Sequence, residues 1–240
     1  MSQGLTDHRP AHEFRARVFK GYVAVGRIVN VAALLAVVVV LAAAPLAAQA
    51  SVRILVLGDS LTAGYGLDAK DAFPARLQAA LRDRNRDVVV LNGGVSGDTS
   101  AGGRARLGWA LADKPDAVIV ELGANDGLRG LDPKATFGNL DAIISEVRAA
   151  GLPLLLTGML APPNLGREYA EEFNAVFPKL AKKHDVPLYP FFLQGVAAEP
   201  ELNQQDGIHP NAKGVEVIVG RILPFVLDLM QRAGKKAGAS

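Results

Sequence analysis

Short apolar runs alternate along the chain with segments whose apolar residues recur every three or four positions. The runs are Val52–Leu57, Asp87–Leu91, Asp116–Leu122, Leu154–Thr157 and Val186–Tyr189. They are nearly continuous rather than alternating, the pattern of strands buried on both faces of a parallel sheet. The Asn92-Gly93-Gly94 triplet is expected to stop the second strand in a turn. Helical spacing appears in Phe73, Leu77, Ala80 and Leu81, and more weakly over Ala105–Leu111. It returns in Phe137, Leu140, Ile144 and Val147, ended by Gly151-Leu152-Pro153, and then in Tyr169, Phe173, Val176, Phe177 and Leu180 as one helix. Val215, Ile218, Val219, Ile222, Val226 and Leu229 mark the last helix. Strands alternating with helices predict an α/β fold, a three-layer α/β/α sandwich around a mostly parallel five-stranded sheet.

In such sheets ligands bind beyond the carboxyl ends of the strands. The polar clusters lie there: Gly58-Asp59-Ser60 after the first strand, Ser96-Gly97-Asp98 after the second and Asn125-Asp126 after the third. Asp206 and His209 precede the last helix.

One apolar run breaks the alternation. Val31–Ala44 spans 14 residues, follows Arg17, Lys20 and Arg27, and ends at Pro45. Ala48-Gln49-Ala50 then offers a small-x-small site before Ser51. A membrane span needs roughly 20 apolar residues. Residues 1–50 are therefore expected to be a signal peptide with a basic n-region, cleaved between Ala50 and Ser51. The mature domain would then be 51–240, exported to the periplasm or secreted. An uncleaved anchor, lengthened by Val29, Leu46 and Ala47, is the alternative.

Composition changes this picture in two ways. The net charge is +2, from 26 basic and 24 acidic residues; five of the basic and two of the acidic lie in residues 1–50. The remainder holds 21 and 22, a net of −1, without the basic excess that a nucleic-acid surface requires. There is no cysteine, so disulfides, thiolate metal sites and a cysteine nucleophile are excluded.

Of four histidines, His8 and His12 precede the expected cleavage site. His184, in Lys182-Lys183-His184-Asp185, ends a helix and reads as a cation at the negative end of its dipole. His209 stands in Asp206-Gly207-Ile208-His209-Pro210. A carboxylate three residues earlier across a glycine turn can reach the imidazole Nδ1–H, fix the tautomer and leave Nε2 free to take a proton. A serine needs such a base. Ser60 is the candidate, because it leaves a buried strand at Gly58 and sits where a helix starts; its plainer role would be a helix cap. The G-x-S-x-G elbow, the G-x-x-x-x-G-K-[ST] loop and the G-x-G-x-x-G fingerprint are all absent.

Taken together, four blocks resemble the SGNH (GDSL) hydrolase superfamily. They are Gly58-Asp59-Ser60-Leu61-Thr62-Ala63-Gly64-Tyr65-Gly66, Asn92-Gly93-Gly94-Val95-Ser96-Gly97-Asp98-Thr99-Ser100, Glu121-Leu122-Gly123-Ala124-Asn125-Asp126-Gly127 and Asp206-Gly207-Ile208-His209-Pro210. Within it the chain is similar to the periplasmic multifunctional type, whose members act as thioesterases, lysophospholipases and arylesterases. That likeness extends through Asn125–Gly130, Pro178-Lys179-Leu180-Ala181 and Val186-Pro187-Leu188; Ala124 stands where relatives often carry glycine. The resemblance implies a flavodoxin-like sheet and a triad of Ser60, Asp206 and His209. It also implies an oxyanion hole from the N–H groups of Ser60 and Gly97 and the Asn125 amide. The expected activity is hydrolysis of carboxylic esters and acyl-thioesters through an acyl-enzyme, on small-molecule substrates, with no cofactor, no metal and no nucleic acid. After cleavage no stable membrane span remains.

Two rivals belong to other classes. A metal-dependent phosphoesterase would use Asp59, Asp98, Asp126, Asp206 and His209, but leaves Ser60 and Asn125 idle. A binding domain without catalysis would need one of the four block residues missing. Leu128, Leu131, Leu160, Pro162, Pro163 and Leu165 lie in loops after the third and fourth strands and are expected to form an apolar acyl groove.

Overall fold

The computed structural model describes residues 51–237, with side chains to residue 234. The expected signal peptide, 1–50, lies outside the described residues. No helix among the described residues is long and apolar enough to cross a membrane.

Five strands form one sheet in the order β2-β1-β3-β4-β5: β1 Val52–Gly58, β2 Val88–Gly94, β3 Ala117–Glu121, β4 Leu154–Thr157 and β5 Leu188–Tyr189. All four pairings are parallel. The central strands are the most continuous apolar runs: Ile54–Leu57 of β1, Ala117–Val120 of β3 and Leu154–Leu156 of β4 are buried. The chain moves from β1 to one neighbour, β2, and then back across to the other, β3. That reversal makes the end of β1 beside β3 the switch point where such sheets open a crevice.

Helix α1 is Ser60–Ala63, α2 Phe73–Arg82, α3 Ser100–Ala105, α4 Leu107–Leu111, α5 Ala124–Leu128 and α6 Pro133–Ala149. Helix α7 is Arg167–Asn174, α8 Val176–His184 and α9 Ala212–Ala237. One face of the sheet carries α2 packed against α9, through Phe73, Leu77 and Leu81 and through Val215, Ile218, Ile222 and Val226. The other carries α6 packed against α3 and α8, through Leu140, Ile143, Ile144 and Val147. Each fully buried aliphatic side chain of this kind contributes roughly 1.5–3 kcal/mol.

Four boundaries differ from the sequence reading, each for a local reason. Strand β2 runs through Asn92-Gly93-Gly94 rather than stopping there, because the ladder with β1 continues to Gly58↔Gly94. Gly94 has no Cβ for a reason, since one would collide with the backbone of Ala63 in α1. The single helix expected over Ala105–Leu111 is two, broken where Arg106 leaves helical geometry at φ −106°, ψ 4°. The helix expected from Tyr169 to Leu180 is divided at Ala175 into α7 and α8. Pro178 has no N–H to give the carbonyl of Asn174, four residues earlier, and its ring crowds that carbonyl. Strand β5 is shortened to Leu188–Tyr189, at the edge of the sheet.

Candidate active site

The nucleophile turn is built by Asp59. Its carboxylate accepts from the Leu61 N–H at 3.0 Å and so caps α1, which leaves Ser60 free of the capping role. Ser60 Oγ lies 3.0 Å from His209 Nε2, and His209 Nδ1 lies 2.7 Å from Asp206 Oδ2. The other Asp206 oxygen accepts from the N–H groups of Ile208 and His209, both at 3.0 Å. These hydrogen bonds hold the Asp206 carboxyl down at about 2. Gly207, at φ +73°, makes the turn that brings carboxylate and imidazole together.

A second tie joins the serine and histidine turns. Gln204 Nε2 donates to the Tyr65 carbonyl at 2.8 Å and to the Pro210 carbonyl at 3.0 Å, and its backbone N–H donates to the His209 carbonyl at 2.8 Å. The Tyr65 ring packs against the His209 imidazole, with centroids 4.6 Å apart.

Asn125, in the first turn of α5, aims Nδ2 at Asp98 O, 2.9 Å, and at Asp59 Oδ2, 3.2 Å. Asp59 is fully buried, and that burial raises its carboxyl to about 6 against the Leu61 and Asn125 hydrogen bonds. Glu121, at the end of β3, is equally buried and is pushed well above the usual carboxylate range by burial and by Asp59. Gly97 takes φ +85° between Ser96 and Asp98, and its carbonyl accepts from Arg129 Nη2 at 2.9 Å. The hydrogen bonds that hold these turns use neither the Ser60 N–H nor the Gly97 N–H.

A cavity of about 330 Å³ opens beside Ser60, Asn125 and His209. Leu128, Leu160, Pro162 and Pro163 line it, as expected; Leu131 and Leu165 do not. Leu165 instead faces the backbone at Gly130. Further apolar wall comes from loop positions that carry no such signal, at Met159, Phe191, Leu193 and Ile208. His184 is elsewhere: it ends α8, is 8% exposed and bonds Asp141 Oδ1 through Nε2 at 2.6 Å. Sequence reading missed Gln204, Tyr65 and Arg106. No spacing rule flags them: Gln204 reaches Tyr65 across 139 positions and Arg106 reaches Gly58 across 48.

A hydroxyl, an imidazole and a carboxylate in series beside an apolar cavity suit attack on an acyl carbonyl. Residues 56–217 match the model of the GDSL-like lipase/acylhydrolase family, and the chain belongs to that family. It is a serine hydrolase acting on ester bonds of small molecules. Among its relatives is an arylesterase of Vibrio mimicus, 46% identical over 165 residues that cover 68% of this chain and 82% of that one. Another is the thioesterase 1/protease 1/lysophospholipase L1 of Escherichia coli (strain K12), 44% identical over 186 residues, covering 77% and 84%. The crystal structure of TesA superposes with a TM-score of 0.71 at 42% identity, covering 74% of this chain and 99% of that one.

The metal-dependent reading finds no support. Its carboxylates are already committed: Asp98 to Arg106, Asp126 to Ser100 and Thr136, and Asp59 to Leu61 and Asn125. Among the described residues no group of three or more acidic or histidine side chains is arranged to hold a metal ion.

Proposed function

We propose that Ser60 is the nucleophile, His209 its general base and Asp206 the group that orients the imidazole. The observation that carries this reading is the unbroken series from Ser60 Oγ to His209 Nε2, 3.0 Å, and from His209 Nδ1 to Asp206 Oδ2, 2.7 Å. Ser60 Oγ bonds to the acyl carbon as its proton passes to Nε2. The carbonyl oxygen becomes an oxyanion, held by the N–H groups of Ser60 and Gly97 and by Asn125 Nδ2. The tetrahedral centre collapses, and His209 returns the proton to the leaving alkoxide or thiolate, which departs as alcohol or thiol. Water then attacks the acyl-enzyme, giving its proton to His209; the acid leaves and Ser60 regains its proton.

The substrates are carboxylic esters and acyl-thioesters with an apolar acyl chain. Support comes from the apolar wall of Leu128, Met159, Leu160, Phe191, Leu193 and Ile208. Relatives described as arylesterase and as thioesterase/lysophospholipase support the same class. Residues 1–50 act as a cleaved signal peptide and 51–240 form the exported catalytic domain. Support for that boundary is the start of β1 at Val52, whose N–H is already satisfied by Asp87 O at 3.2 Å.

The test is an organophosphonate in excess chelator. Hydrolysis of p-nitrophenyl esters persists in chelator, the phosphonate abolishes it, and mass spectrometry finds the adduct on Ser60. Activity in Ser60→Ala, or its loss in chelator alone, overturns the reading. N-terminal sequencing of the exported protein checks the boundary: a start at Ser51 supports it, and residues before Val31 overturn it.

A further inference from the structure

We infer that Arg106 is a positioning residue for the oxyanion hole: the fork of its guanidinium holds the nucleophile turn and the Gly97 turn in one fixed register. The inference rests on the assignment of Ser60 N–H, Gly97 N–H and Asn125 as the oxyanion donors.

Arg106 stands at the junction of α3 and α4, and its side chain is 19% exposed. Its three nitrogens reach two backbone carbonyls and one carboxylate, on three different stretches of chain. Nε donates to Asp98 Oδ2 at 2.6 Å, Nη1 to Gly93 O at 2.7 Å and Nη2 to Gly58 O at 2.8 Å. Gly58 is the last residue of β1, two before Ser60; Gly93 lies at the end of β2. Asp98 directly follows Gly97, and its carbonyl accepts from Asn125 Nδ2 at 2.9 Å. One side chain therefore touches the two segments that carry the Ser60 and Gly97 donors, and it reaches Asn125 only through Asp98. The Gly58 carbonyl is shared with the Val95 N–H at 3.1 Å, which adds a direct link between the two turns.

The guanidinium also pairs the Asp98 carboxylate, one residue from Gly97. Without it that carboxylate would be an unpaired negative charge near the position where negative charge develops in the transition state. Oxyanion stabilisation depends on donors fixed before the reaction begins. A planar fork meets three acceptors at fixed angles, whereas a lysine ammonium is a point charge on a flexible stem. Helix propensity does not account for the residue, because the helix breaks at Arg106.

The experiment compares Arg106→Lys, Arg106→Ala and Asp98→Asn with the wild-type full chain. Active-site titration corrects for the folded fraction, and Ser60→Ala is run in parallel. Arg106→Lys and Arg106→Ala should lose at least tenfold in kcat per titrated site, with KM within twofold, and react with the phosphonate more slowly in proportion. Ethylguanidinium at non-denaturing concentration should restore at least threefold of the Arg106→Ala rate, where equal sodium chloride does not. Asp98→Asn keeps both carbonyl contacts of Arg106 and should lose kcat severalfold, so a result is obtained even if Arg106→Ala fails to fold. Normal kcat per site in Arg106→Lys together with Asp98→Asn overturns the inference, as does a loss that follows the folded fraction alone. An inactive Ser60→Ala beside normal Arg106 variants sinks this inference and leaves the triad standing; an active Ser60→Ala sinks the triad itself.

Discussion

The ring of Tyr65 lies against the imidazole of His209, centroids 4.6 Å apart and planes tilted by 37°, although Tyr65 is 53% exposed. Tyr65 follows α1 and is five residues from the nucleophile, so the ring and the serine belong to one turn. As His209 takes the serine proton it becomes a cation facing a π system. At exposed sites that contact contributes about 0.5–1 kcal/mol. Tyr65→Ala should lower kcat by about two- to fivefold, and Tyr65→Phe should leave it unchanged. Equal losses in both variants would assign the effect to the hydroxyl instead.

Asn125 is the sharpest test of the oxyanion reading. Asn125→Ala should reduce kcat by roughly 10²–10³, about 2.7–4 kcal/mol, with KM nearly unchanged. Slow labelling by the phosphonate should remain, since Ser60 and His209 are intact. Asn125→Asp should be no better than Ala, because its carboxylate would face both the oxyanion and Asp59, whose oxygen now accepts from Asn125 at 3.2 Å. Normal kcat with a lowered Tm would make Asn125 a structural residue.

The two histidines should separate cleanly. His209→Ala abolishes turnover. His184→Ala should keep kcat but lower stability by about 1–3 kcal/mol, since it strips a 2.6 Å hydrogen bond from Asp141. Asp206, held at about 2 by the His209 hydrogen bonds, stays charged across the working range. A fall in kcat/KM between pH 8 and 4, if measured, is therefore not the titration of Asp206 and should persist in Asp206→Asn. That variant loses kcat by a factor on the order of 10⁴ through the wrong tautomer.

Asp59 and Glu121 tie stability to pH in the opposite sense. Burial raises Asp59 from 3.8 to about 6, and Glu121 is raised too. The folded state then holds more protons than the unfolded state between about pH 4 and 6, so these groups lower stability as pH rises through that window. The change for Asp59 is on the order of 1–3 kcal/mol. Asp59→Asn should flatten that part of the Tm–pH curve while lowering kcat, because its amide would oppose the Asn125 amide, donor against donor. An unaltered slope would locate the pH dependence elsewhere.

The groove sets the acyl preference. Each methylene buried against Leu160 and Phe191 is worth up to about 0.8 kcal/mol, roughly fourfold in KM. KM for p-nitrophenyl esters should fall with chain length until the cavity is full, and Leu160→Ala should weaken long chains more than acetyl. A flat series from acetyl to decanoyl would indicate a small open site.

Hydrophobic patterning with run length and glycine boundaries was enough to place the five strands and the main helices, because a short, continuous apolar run such as Ile54–Leu57 ending at Gly58 suits a strand covered on both faces. The Asp206–His209 pair was legible for a similar reason. Its two members share one short glycine turn, so their meeting is a local event. The four block residues were found through motif and resemblance, each at a strand end or before α9. Where those ends meet is another matter. Ser60 and His209 are 149 positions apart, and only the strand order and the Gln204 tie bring Nε2 to 3.0 Å from Oγ. Local propensity misjudged Asn92-Gly93-Gly94, because a ladder with β1 outweighs the turn preference of free glycines. It also could not foresee Arg106, whose acceptors lie 8, 13 and 48 positions away. Nor could it assign Phe191 and Leu193 to the groove in place of Leu131 and Leu165. Sequence spacing governs what a segment hides from water; which segments then share a wall depends on the paths of loops that no periodicity encodes.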